Sequence, residues 1–103
     1  MTMIPVLVEF SGGLEILFGG KRALKLSLSP SPTGPATITD LVGTLCDKYM
    51  TDKRKDLFVI EDNRVRPGIL VLVNDTDWEL VGEQDYEIEP GDQILFASTL
   101  HGG

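Results

Sequence analysis

A chain of 103 residues and 11.3 kDa has room for one small domain and for no second, catalytic one. Sixteen acidic residues against nine basic ones give a formal charge of -7 and a pI near 4.5, a field that repels phosphate backbones and disfavours direct nucleic-acid binding. A single cysteine, Cys46, and a single histidine exclude an internal disulfide framework, a zinc site and an iron–sulfur cluster, and no run approaches the ~18 apolar residues of a membrane span, so a soluble cytosolic protein is expected.

In chain order, Ile4, Val6, Val8 and Phe10 alternate with Pro5, Leu7 and Glu9, which predicts a half-buried strand with Pro5 near its start or on an edge. Ser11-Gly12-Gly13 breaks it, Leu14 to Phe18 can form one helical turn, and Leu24, Leu26 and Leu28 alternate in a second strand, making a widened hairpin. Three prolines between Ser29 and Pro35 impose a loop. Thr37, with Asp40 three residues on, is a helix start, and Ile38, Leu41, Val42, Leu45 and Tyr49 form an apolar stripe bordered by Cys46. After the charged connector from Asp52 to Asp56, Leu57 to Ile60 reads as a short strand ending at an Asp62-Asn63 turn. The continuous apolar run Ile69 to Val73 reads as a central strand, Trp78 to Leu80 as a short one, and Gln93 to Ser98, after the Glu89-Pro90-Gly91-Asp92 turn, as the last. One helix for four or five strands predicts an α+β fold, a β-grasp with a mixed sheet and one main helix on one face. The whole of residues 1–103 is expected to form a single domain, with a mobile tail over 99–103. Alternation places Ile69, Val71 and Val73 toward the helix and Leu70 and Leu72 on the open face, as part of a partner-docking patch.

The sequence closes on Gly102-Gly103, a pair that chance places at two specified positions in only roughly 0.5% of proteins. Two residues without Cβ form the thinnest tail a polypeptide can offer to a narrow channel. An α-carboxylate is ionised at neutral pH and can attack the α-phosphate of ATP; the acyl-adenylate then accepts a thiol, persulfide or amine. No residue of the chain stands out as able to supply that activation, so the chain is expected to be the substrate of an enzyme and not an enzyme.

β-grasp order with a terminal Gly-Gly resembles ubiquitin and the sulfur carriers of thiamine and molybdopterin synthesis. The segments Arg66-Pro67-Gly68-Ile69, Asn74-Asp75-Thr76-Asp77-Trp78-Glu79-Leu80 and Ser98-Thr99-Leu100-His101-Gly102-Gly103 resemble the ubiquitin-related modifiers specifically, as do Glu9-Phe10, Gly12-Gly13-Leu14 and Gly91-Asp92. That resemblance implies a cytoplasmic monomer, with the nucleus as a second compartment, that binds no cofactor, membrane or nucleic acid. It also implies an E1-like activating enzyme with a rhodanese domain, which uses ATP to adenylylate Gly103 and converts it to a thiocarboxylate, with Thr99, Leu100, His101 and Gly102 entering that enzyme. Its sulfur goes to a tRNA thiolase complex for 2-thiolation of the wobble uridine of cytosolic tRNAs. The same end forms isopeptide bonds with lysines of target proteins, peroxiredoxins among them, under oxidative stress.

The other candidates read blandly. Cys46 is a small core filler, Trp78 a packing residue, and Lys53-Arg54-Lys55 a solvated run whose charge Asp52 and Asp56 cut to +1. His101 reads equally as a residue orienting the tail or as a solvated imidazole. Two other functions stay open at this level. One is a small subunit of a molybdopterin-synthase-like complex; the other is a ubiquitin-fold interaction domain that is never conjugated.

Overall fold

Period-two burial builds the sheet from its first strand outward. In the computed structural model, which describes residues 3–30 and 32–98, β1 (Ile4–Ser11) buries Val6, Val8 and Phe10. Pro5 lies at the strand's start, one residue before pairing with the last strand begins at Val6, so its missing N–H breaks no rung there. β2 (Ala23–Leu28) runs antiparallel to β1 and buries Leu24, Leu26 and Leu28. A 3-10 turn over Leu14–Phe18 joins the two and tucks Leu14, Leu17 and Phe18 into the core.

The helix begins where a reciprocal cap can form. The Thr37 hydroxyl accepts from the Asp40 N–H at 3.4 Å while the Asp40 carboxylate accepts from the Thr37 N–H at 2.8 Å, satisfying two donors that the first turn leaves open. α1 (Ile38–Thr44) then continues into a π-helical turn over Leu45–Tyr49. Ile38, Leu41, Val42 and Leu45 are fully buried, Cys46 and Tyr49 half-buried, and Asp47 and Lys48 exposed, as the apolar stripe predicts.

The five-stranded sheet has the order β2-β1-β7-β5-β6, where β5 is Leu70–Val73, β6 Thr76–Asp77 and β7 Asp92–Ala97. β1 and β7 pair in parallel and the other neighbours antiparallel, so the sheet is mixed, with the helix on one face. β3 (Val59–Ile60) and β4 (Arg64–Val65) form a separate small hairpin.

β7 is the middle strand, and the apolar run of β5 is interior as expected, held between β7 and the two-residue β6. Two expectations change. Leu57 closes a 3-10 turn, its N–H donating to the Arg54 carbonyl at 3.0 Å, which leaves only Val59 and Ile60 to pair. Trp78–Leu80 is a 3-10 turn and not a strand. Asn74 and Asp75, both at positive φ, reverse the chain so tightly that pairing resumes at Thr76, and the Asp77 carboxylate then caps the turn by accepting from the Glu79 N–H at 2.9 Å.

The return from β6 to β7 is held by polar side chains. Gln84 accepts from the Val65 N–H at 2.7 Å and donates to the Thr39 hydroxyl at 2.9 Å and the Asn63 carbonyl at 3.2 Å, tying the small hairpin to the helix. Buried Asp92 accepts from Asn74 Nδ2, from the Tyr86 hydroxyl and from the Glu89 N–H, at 2.9, 2.6 and 2.9 Å. Burial, and then the hydrogen bond to Asp92, push the Tyr86 hydroxyl well above the ordinary tyrosine pKa.

Truncating Phe58, fully buried among three other rings, is expected to cost about 3–5 kcal/mol in urea unfolding of Phe58→Ala. Because the folded Tyr86 pKa is raised, its stabilisation is complete below about pH 10 and fades as pH climbs from there toward the folded value. Tyr86→Phe should therefore flatten the alkaline limb of a stability–pH curve.

Candidate functional site

Strand register decides which side chains the helix leaves uncovered. In β5, Val71 and Val73 are buried while Leu70 is 47% exposed and Leu72 half-buried, so the two leucines point to the open face. Leu72 stands opposite Leu95 of β7, and Leu70 opposite Ala97. These four side chains make one apolar patch, with Leu7 of β1 one rung away beside Gln93. Glu9, opposite Leu95, and Asp77, opposite Leu72, edge the patch with negative charge. Leu70 and Leu72 are legible from alternation. Leu95, hidden in the run Ile94-Leu95-Phe96, and Leu7 carry the same signal, an apolar residue out of phase with the buried set.

The patch lies at the end of the sheet where β7 finishes. There the Ser98 N–H donates to the Ser11 carbonyl at 3.1 Å. Gly12, at φ 71, packs so closely that a β-carbon would overlap the Ser98 carbonyl oxygen. The root of the tail is thus wedged against the turn after β1. Thr99, Leu100, His101, Gly102 and Gly103, the residues expected to carry the chemistry, lie outside the described residues.

Two segments far apart in sequence also meet beside β5. Arg66, Pro67, Gly68 and Ile69 share a groove of about 430 Å³ with Trp78 and Glu79. Trp78 is half-buried against the core, as a packing residue would be, whereas Leu80 beyond it is 80% exposed.

Comparison with known proteins decides the family. The model of the family Urm1 (Ubiquitin related modifier) matches residues 5–103. The chain belongs to the ubiquitin-related modifier family. It is 58% identical to ubiquitin-related modifier 1 of Chaetomium thermophilum over 97% of this chain and 92% of that one. It is 55% identical to ubiquitin-related modifier 1 of Pyrenophora tritici-repentis, with 97% and 94% covered. The solution structure of Urm1 from Trypanosoma brucei superposes with a TM-score of 0.79 at 39% identity, covering 100% of this chain and 99% of that one. The fold is therefore the ubiquitin-like β-grasp, and the matched span runs through Gly102 and Gly103.

The remaining titratable groups suit this family of modifiers. Burial pushes the Cys46 thiol up, against a weaker pull from Lys55, so it stays protonated at neutral pH and is a poor nucleophile. Asp52 accepts from the Arg54 guanidinium and backbone, forms an ion pair at 2.9 Å and is held down at about 2. Among the described residues no group of three or more His, Cys, Asp and Glu side chains is placed to hold a metal ion.

Gly12→Ala should cost more than about 1 kcal/mol, since it adds a clash with Ser98 to the strain of positive φ, and should shift the Ala97 and Ser98 amide resonances. Gly20→Ala, also at positive φ but with open space around the added carbon, should carry the strain alone and leave those resonances in place.

Proposed function

We propose that this protein is a cytoplasmic sulfur carrier whose Gly103 carboxyl is the reactive group, and that it is a substrate of enzymes rather than an enzyme. The observation that carries the reading is the family match through Gly102 and Gly103 on a fold that wedges the root of the tail at Ser98. An E1-like enzyme with a rhodanese domain is the activating partner. The Gly103 carboxylate attacks the α-phosphate of its ATP and expels pyrophosphate. A persulfide sulfur of the rhodanese domain then displaces AMP to form an acyl disulfide, and a second thiol cleaves the S–S bond, leaving the thiocarboxylate on Gly103 and a disulfide on the enzyme. A tRNA thiolase complex takes that sulfur for the wobble uridine, so the acidic carrier needs no nucleic-acid surface of its own. Attack by a target lysine on the activated carboxyl gives the isopeptide bond of a modifier by the same chemistry.

The patch of Leu70, Leu72, Leu95 and Ala97 is the docking surface for the activating enzyme. Its apolar area lies beside the residue that starts the tail, so docking there sets where the tail enters.

Incubation with the activating enzyme, ATP and thiosulfate should raise the intact mass by the difference between one sulfur and one oxygen, located on the C-terminal fragment. Deleting Gly103, or adding one residue after it, should abolish loading while changing stability by less than about 0.5 kcal/mol. Leu72→Asp should stay folded and weaken enzyme binding, and Cys46→Ser should load. Loading after Gly103 deletion, or failure of a folded Cys46→Ser variant to load, would overturn the reading. Failure to load combined with permanent co-purification with a large catalytic subunit would place the protein in a molybdopterin-synthase-like complex.

A further inference from the structure

Charge is distributed unevenly along this acidic chain. All nine Lys and Arg residues precede position 67, and the remainder carries eight acidic residues and no base. Between Glu15 and Asp40 the pattern reverses: there is no acid, and Lys21, Arg22 and Lys25 are all exposed. These three bases lie on or just before β2, the strand at one end of the sheet.

The backbone of β2 is half used. The Phe10 N–H donates to the Arg22 carbonyl at 2.9 Å, which fixes the phase of the antiparallel ladder. Leu24, Leu26 and Leu28 turn their backbone groups to β1, and Ala23, Lys25 and Ser27 turn their N–H and C=O groups outward. Among the described residues β2 pairs with β1 alone. Six residues make a long edge, and such an edge templates a further strand. Next to it lies a groove of about 490 Å³ lined by Leu7, Lys25, Leu26, Ser27 and Tyr49, among others, which gives an added strand an aromatic and aliphatic wall.

We propose that the free edge of β2 binds an extended acidic segment of a partner protein by strand addition. The outward groups of Ala23, Lys25 and Ser27 supply the main-chain hydrogen bonds, and Lys21, Arg22 and Lys25 select acidic side chains. A second copy of this chain is the wrong occupant: antiparallel pairing of two β2 edges about a two-fold axis at the centre of the outward set places Lys25 opposite its own copy and brings no acidic residue to Lys21 or Arg22. The opposite edge, β6, is two residues long and bears Asp77, so it offers neither the length nor the charge. This surface approaches the apolar patch beside the tail only through Leu7 and Gln93, while its paired edge lies on the far side of β1, which leaves the protein able to hold such a partner while Gly103 is being used.

Titration of the isotopically labelled full chain with a short peptide alternating Val and Glu should perturb the amides of Ala23, Lys25 and Ser27 and slow their hydrogen exchange. Binding should weaken with added salt. Lys25→Glu should lower affinity about tenfold or more, and so should Ser27→Pro, which removes an outward donor while leaving the β1 ladder intact. Sulfur loading of Gly103 should be unchanged in both variants, which separates this test from that of the carrier function. The proposal fails if the peptide does not bind, if its Lys-for-Glu counterpart binds equally, if the shifts fall on Leu70 and Leu72, or if an oligouridylate occupies the edge in place of the peptide.

Discussion

The four phenylalanines of this sequence meet in one buried cluster, and the rest of the fold is arranged around it. Phe10 stacks on Phe18 with ring centroids 4.1 Å apart, and Phe58 meets Phe96 edge-on at 5.2 Å. Their rings come from β1, from the turn after it, from the segment before β3 and from β7. The cluster therefore ties the parallel strand pair to the turn after β1 and to the segment before β3. Edge-to-face and offset pairs of this kind are worth about 0.5–1.5 kcal/mol each beyond the area they bury. Through Phe96, the same packing fixes the outward phase of Leu95 and Ala97. The apolar patch is thus a by-product of core geometry.

Polar groups do the work that apolar ones cannot in the stretch between β6 and β7. That stretch has little regular structure and few buried apolar residues, Ile88 among them. Gln84 and Asp92 substitute for a ladder: Gln84 accepts from the Val65 N–H and donates to Thr39 and Asn63, and Asp92 accepts from three separate donors. The arrangement suits a long return loop on an acidic face, because every carboxylate drawn inward must be given donors or it destabilises the fold.

Much of this was legible from residue order, and the gaps have physical causes. Long alternations, the capped helix, and the inward Val71 and Val73 all follow from local periodicity, which side-chain burial enforces. A two-residue strand has no period, so β4 and β6 leave no signal in the sequence, β3 reads two residues too long from Leu57, and Trp78–Leu80 takes the pairing that belongs to Thr76 and Asp77. Strand order depends on partners distant in sequence, so the apolar run marks β5 as an interior strand without showing that β7 takes the middle. Gly12 reads only as a turn residue until Ser98 is found against it. For the chemistry, the Gly102-Gly103 pair was the strongest signal, and it came from residue identity, with no fold required.

The parallel pairing of β1 with β7 has a consequence for how the protein comes off the ribosome. β7 inserts between β1 and β5, so the strands made earlier cannot close their sheet, and Phe96 cannot complete the aromatic cluster, until β7 itself has been synthesised. Such non-local closure must meet the entropy of a long loop before its contacts form. A ribosome that stops short of β7 releases a chain with no closed sheet and no apolar patch. An activating enzyme docking as proposed would therefore spend ATP only on chains that included β7 and had folded.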